Sequence, residues 1–143
     1  MDIFLVRHGE AAAGWGQSAD PGLSDRGRQQ ALAAARELQS RVAPGTQLFT
    51  SPMARARETA QPLADLLSRP ARIDPAFSEI PAPVPVSQRR EWLRAFMGQR
   101  WRDQSPGVLA WRDNALARFE GNDCTGSRVY TLSHYQRRGR DDS

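Results

Sequence analysis

The 143-residue chain contains no lysine. All 20 basic residues are arginine, and against 16 acids they give a formal net charge of +4 and an isoelectric point near 10.5. A basic balance can serve a nucleic-acid partner. Here, however, the arginines are scattered and many stand beside acids, as in Arg36-Glu37, Arg57-Glu58, Arg90-Glu91 and Arg112-Asp113. No basic face forms, and the reading is of a chain with no nucleic-acid partner. Cysteine is nearly absent. Cys124 stands alone, which excludes an intramolecular disulfide and fits a reducing, cytoplasmic setting. It has no cysteine or histidine neighbour at metal-ligand spacing. No stretch approaches the roughly 20 apolar residues that span a bilayer. The N-terminus lacks the basic and apolar regions of a signal peptide, so no membrane partner is expected. Histidine is scarce too, with only His8 and His134.

What is present alternates. Ile3-Phe4-Leu5-Val6 is an unbroken apolar run that predicts a strand buried on both faces at the centre of a parallel sheet. Arg7-His8-Gly9-Glu10 ends it, at the strand's carboxyl end, where open α/β sheets hold ligands. A small-residue loop containing Trp15 runs from Ala11 to Gly22. Ser24 then suits the N-cap of a helix over 25–42, with Ala31, Ala35, Leu38 and Val42 on one stripe. Gln47 to Thr50 predicts a second strand. A second helix is expected from about Met53 to Leu67, striped by Ala56, Ala60, Leu63 and Leu67, with a kink or break at Pro62. Residues 72–74 make a weak strand. The proline-rich stretch Phe77 to Val86, carrying Glu79, predicts a loop without regular structure. Amphipathic segments follow over 87–96 and 107–119, anchored by Trp92, Phe96, Trp101 and Trp111. Val129 to Ser133 is the last strand, with His134 at its end. This order predicts an α/β fold: a three-layer αβα sandwich around a mainly parallel sheet.

The chemistry-bearing residues cluster after strands. Both histidines do so, and Ser51-Pro52-Met53-Ala54-Arg55 puts a guanidinium in the first turn of a helix. Free amides and the macrodipole attract anions to such a turn. Two arginines and two imidazoles converging at one edge of a sheet would cage a phosphoryl dianion. The chain resembles the histidine phosphatase superfamily, also called the phosphoglycerate mutase-like family. The resemblance rests on Arg7-His8-Gly9-Glu10, on residues 23–31 (Leu-Ser-Asp-Arg-Gly-Arg-Gln-Gln-Ala), and on residues 51–60 (Ser-Pro-Met-Ala-Arg-Ala-Arg-Glu-Thr-Ala). Glu79 and His134 are weaker matches.

That resemblance implies that His8 is the nucleophile and becomes a phosphohistidine. Arg7 and Arg55 would hold the phosphoryl oxygens, and His134 would donate to the same group. Glu79 would protonate the leaving oxygen and then activate water, a role that calls for a carboxyl with a raised pKa. The scheme uses no metal and no cofactor. Arg57 and Glu58 read as an exposed, solvated pair, and Glu10 as a carboxylate that either tunes the site or sits idle at the surface. The tryptophans read as core more readily than as pocket lining.

The chain departs from the family after His134. Relatives usually continue into an apolar helix and commonly a further strand, whereas residues 135–143 are polar and without an amphipathic stripe. The expectation is a domain over 1–134 and a disordered tail over 135–143. One face of the sheet would be left uncovered near the His134 strand, with lower stability, homo-oligomeric association or impaired catalysis as consequences. The activity implied is that of a phosphoric monoester hydrolase acting on a small metabolite or phosphoprotein. A phosphate-binding regulatory protein of the same fold, and then a phosphoglycerate-type mutase, are the alternatives.

Overall fold

The computed structural model describes residues 2–12, 20–120 and 127–133. Its elements are β1 (Ile3–Arg7), α1 (Asp25–Gln39), β2 (Gln47–Thr50), α2 (Ala54–Leu67), β3 (Ala71–Ile73), α3 (Arg89–Phe96), α4 (Pro106–Glu120) and β4 (Arg128–Leu132). Single 3-10 turns stand at Pro75–Phe77, Val86–Gln88 and Trp101–Asp103, so the proline-rich stretch is regular at both of its ends. The four strands are all parallel, in the order β1-β4-β2-β3. The α/β alternation read from the sequence is therefore the observed fold.

Local chemistry explains the helices. Ser24 caps α1, its hydroxyl accepting from the Gly27 amide at 3.0 Å. The apolar stripe of α1 and that of α2 pack together on one face of the sheet. There Ala35, Leu48, Leu63, Ala64 and Val129 form a buried cluster, flanked by Phe4, Val6, Leu38 and Val42. Burial of Leu48 and Leu63 contributes roughly 1.5–3 kcal/mol each. Pro62 lies inside α2, which runs as one helix from Ala54 to Leu67. On the opposite face Phe77, Tyr130 and Leu132 pack with Phe49, Ala115 and Phe119, the last two supplied by α4. A third cluster joins α3, α4 and the loop before them. Ile80, Phe96 and Val108 are buried, with Trp92, Trp101 and Trp111 packed around them. Those three tryptophans are thus partly buried and pack against the core; Trp15 lies outside the described residues.

One expectation is overturned. The strand buried on both faces is β4, all five of whose residues are buried, and not β1. β4 enters from the far end of the sequence and inserts between β1 and β2, leaving β1 at the edge. Phe4 and Val6 face the α1–α2 cluster, while Ile3 and Leu5 point the other way and remain 40% and 46% exposed. Apolar side chains are thus left exposed on β1, the strand paired with β4. Among the described residues no helix is long and apolar enough to cross a membrane.

Candidate active site

The parallel register brings Arg7, Leu132 and Thr50, the carboxyl ends of β1, β4 and β2, to one edge of the sheet. The His8 amide extends the β1–β4 ladder by donating to the Leu132 carbonyl at 3.1 Å. The chain then turns under α1. A Cβ on Gly9 would lie 2.6 Å from the Gly27 carbonyl oxygen, and one on Gly27 would lie 2.1 Å from that of Glu10. Only glycine fits at both places, because the neighbouring atoms are backbone and cannot swing aside. Glu10 belongs to the same lock. Its amide donates to Gln30 Oε1 at 2.9 Å, and its carbonyl accepts from the Ser24 amide at 2.9 Å. Its carboxylate lies 2.9 Å from the Ser24 hydroxyl, so it fastens the loop to the start of α1 and does not idle at the surface.

This lock orients His8. Nδ1 donates to the Gly9 carbonyl at 2.6 Å. A carbonyl oxygen only accepts, so the proton of the neutral ring belongs on Nδ1 and the lone pair on Nε2. Burial lowers the His8 pKa from its ordinary 6.5, and the positive charges of Arg55 and Arg7 push it the same way, against the opposing pull of the Gly9 hydrogen bond. The ring is thereby held neutral, with a nucleophilic nitrogen available near pH 7. A cavity of about 580 Å³ opens beside it, walled by Arg7, His8 and Thr59 and by Gln30, Ala31 and Ala34 of α1.

Arg55 projects from the first turn of α2 and is almost fully buried. Its Nη2 donates to the Ser133 carbonyl at 3.0 Å and forms an ion pair with Glu79 Oε1. The α2 N-terminus is partly occupied by the protein itself. The Ala54 amide donates to Asp20 Oδ1 at 2.8 Å, and the Met53 amide to the Ser51 hydroxyl at 3.3 Å. The free amides expected there for a bound anion are in part already used. Ser51 also donates to the buried Ser133 hydroxyl at 2.7 Å, tying the ends of β2 and β4 together.

Glu79 sits on a loop gripped from three sides. The Ser133 hydroxyl donates to the Phe77 carbonyl at 3.3 Å, Trp111 Nε1 to the Ser78 carbonyl at 3.0 Å, and Arg89 Nη2 to the Ile80 carbonyl at 2.8 Å. Arg89 Nη2 also lies 2.8 Å from Glu79 Oε2. Both carboxylate oxygens of Glu79 therefore face guanidiniums.

The sequence profile described as "Histidine phosphatase superfamily (branch 1)" matches residues 3–117. The chain belongs to the histidine phosphatase superfamily. A 2,3-bisphosphoglycerate-dependent phosphoglycerate mutase of Bartonella henselae is 28% identical over 154 aligned positions, covering 94% of this chain and 68% of that protein. The PE-PGRS family protein PE_PGRS11 of Mycobacterium tuberculosis is 36% identical over 87 residues, covering 57% of this chain and only 15% of its own length. Among solved structures, a mycobacterial glucosyl-3-phosphoglycerate phosphatase superposes with a TM-score of 0.65 at 21% identity, over 90% of this chain and 74% of that one. A phosphoserine phosphatase of Entamoeba histolytica, solved with 3-phosphoglyceric acid, gives a TM-score of 0.63 at 21% identity, over 93% and 73%. At such identities these likenesses show the shared fold.

For this histidine phosphatase superfamily member, four of the five residues singled out in the sequence can be located. Arg55 and Glu79 are paired, and the charges of Arg7 and Arg55 both reach His8. His134 lies outside the described residues, although Ser133, which precedes it in sequence, is hydrogen-bonded to Arg55. Arg57 and Glu58 are both exposed, as expected. Each also ties α2 to a neighbouring loop: Glu58 accepts from the Leu23 amide at 2.6 Å, and Arg57 donates to the Pro52 carbonyl at 3.0 Å. Thr59 and Arg89 went unnoticed. Thr59 Oγ1 accepts from the Gly9 amide at 3.0 Å and donates to the Arg55 carbonyl at 2.7 Å, joining the His8 loop to the helix that carries Arg55. A threonine one turn after Arg55 was the available signal; Arg89 left none, being one arginine among many.

Proposed function

We propose that this protein is a phosphatase that hydrolyses a phosphomonoester through a phosphohistidine on His8. The observation that carries this reading is the Nδ1 hydrogen bond to the Gly9 carbonyl, which leaves the Nε2 lone pair of a neutral ring for attack on phosphorus. As the N–P bond forms, the P–O bond breaks, and its electron pair stays with the leaving oxygen, which takes a proton from Glu79. Water then attacks phosphorus and returns a proton to Glu79, while the N–P electron pair goes back to His8. Arg7 and Arg55 stabilise the charge spread over the phosphoryl oxygens, and His134 donates to the same group. The substrate is a phosphorylated small molecule or phosphoprotein. Relatives named for bisphosphoglycerate and glucosyl-3-phosphoglycerate make phosphorylated glycerates the first compounds to assay. The single cysteine fits a reducing cytoplasm as the compartment.

The alternative is a phosphate-binding protein without turnover. It draws support from the engagement of Arg55 by Glu79 and the Ser133 carbonyl, contacts that a phosphoryl group has to displace. Incubating wild type and His8→Ala with an aryl phosphate from mildly acidic to neutral pH separates the two. Acid-labile phosphate on wild type and none on His8→Ala is expected. Phosphate binding with neither turnover nor phosphoenzyme would establish the alternative, and turnover surviving His8→Ala would remove the nucleophile assignment.

A further inference from the structure

Resting on that reading, we infer that Arg89 is a positioning residue that anchors Glu79 by one oxygen, so that the other becomes the proton donor when substrate binds. The geometry assigns the two oxygens different partners. Oε1 is held by Arg55, the arginine whose charge reaches His8, and Oε2 by Arg89, 2.8 Å away on α3. An arriving phosphoryl dianion competes with Glu79 for Arg55, because one guanidinium edge cannot serve both in the same direction. Breaking that contact frees Oε1, the oxygen that had faced Arg55. Oε1 is then placed to hand the proton to the leaving oxygen as the P–O bond breaks.

Without Arg89 the freed carboxyl would have lost both of its partners and would rotate about its side-chain torsions. With Arg89 it keeps Oε2 fixed. The same Nη2 donates to the Ile80 carbonyl at 2.8 Å, so the anchor holds the side chain and the backbone of the acid loop together. Arg89 is itself only partly exposed, and α3 packs through its own Trp92 and Phe96, whose rings stack at 5.1 Å, against Ile80 and Val108. The anchor therefore rests on a packed element, as a residue that sets catalytic geometry requires.

The test exploits leaving-group dependence. A good leaving group such as p-nitrophenolate departs with little help from an acid, whereas an alkoxide needs the proton. Correctly placed acids contribute roughly 10²–10⁴-fold, so a misplaced one loses a part of that factor. In Arg89→Met the ratio of kcat/KM for glycerol 3-phosphate to that for p-nitrophenyl phosphate should fall about tenfold or more. Glu79→Gln should lower the same ratio, and adding Arg89→Met to it should lower the ratio no further. Arg89→Lys, a single point charge, should recover part of the ratio; it also serves where the methionine variant does not fold. Equal losses on both substrates, or additive effects in the double variant, would overturn the assignment. So would an Arg89→Lys protein matching wild type where Arg89→Met cannot be obtained. Absence of any phosphoenzyme in wild type would instead remove the phosphatase reading on which it rests.

Discussion

Replacing Gly27 by alanine sets a general rule against a particular contact. In an exposed helix position the change stabilises by up to about 1 kcal/mol, since alanine is the better helix former. Gly27 lies in the first turn of α1, and its Cβ would stand 2.1 Å from the Glu10 carbonyl oxygen. Ordinary contact begins near 3.4 Å, so the Glu10 backbone has to retreat by about 1.3 Å. Overpacking of this kind costs about 1–3 kcal/mol. The retreat also strains two hydrogen bonds accepted by that oxygen, from the Ser24 amide at 2.9 Å and the Ser24 hydroxyl at 3.2 Å. Each is worth about 1 kcal/mol. Against a propensity gain of at most 1 kcal/mol, the net expectation is a loss of roughly 2–4 kcal/mol, or some 6–12 °C in Tm for a chain of this size. Gly107, in the first turn of α4 with nothing within 4 Å of its would-be Cβ, is the control. Gly107→Ala should be neutral or slightly stabilising. Urea unfolding of both variants measures the difference. A Gly27→Ala protein as stable as wild type would show that the loop behind His8 yields freely, and would refute the claim that this crossing holds the site.

Three further expectations follow from the same geometry. Because the His8 pKa is depressed, chiefly by burial, the unfolded chain binds the proton more readily than the folded one. Stability from this group is present above the unfolded value of 6.5 and declines as pH falls through and below it; phosphoenzyme formation, which needs the neutral ring, should keep its acid limb below 6.5. Urea midpoints and single-turnover labelling across pH 5–8 check both signs. Thr59→Val removes the acceptor of the buried Gly9 amide and should cost about 1–3 kcal/mol and slow phosphoenzyme formation, with Thr59→Ser restoring both. Leu5→Ala on the exposed side of β1 should cost under about 1.5 kcal/mol, while Leu48→Ala in the core should cost about 2–5 kcal/mol, as read by thermal melts.

The site's parts differ in how plainly the chain announces them. Arg7, His8 and Arg55 stand inside local motifs directly after apolar strands, and their convergence follows once the strands run parallel. Glu79 was visible only as the one acid of a proline-rich loop. That it meets Arg55 and Arg89 depends on Ser133, Trp111 and Arg89 gripping that loop from three elements distant in sequence. Glu58 is exposed on the helix surface as the sequence suggests, but nothing in its neighbourhood reveals the Leu23 amide that the loop presents to it.

Taken alone, the sequence determined the α/β alternation, the inner stripes of α1 and α2, the glycine-containing turn after β1 and the phosphoryl-type residues along one edge. These are short-range properties: side-chain periodicity, capping and turn chemistry are written within a dozen residues. Only the tertiary structure decided which strand lies at the centre. Ile3 to Val6 is the more continuously apolar run, yet it forms the edge. Arg128-Val129-Tyr130-Thr131-Leu132 is wholly buried, its arginine donating to the Tyr130 hydroxyl at 3.1 Å among other contacts. Strand order is settled by pairing between segments more than 70 residues apart. Hydropathy along one segment carries no record of which partner slides in beside it, and the same non-local pairing brings the Ser133 carbonyl to Arg55 beside His8.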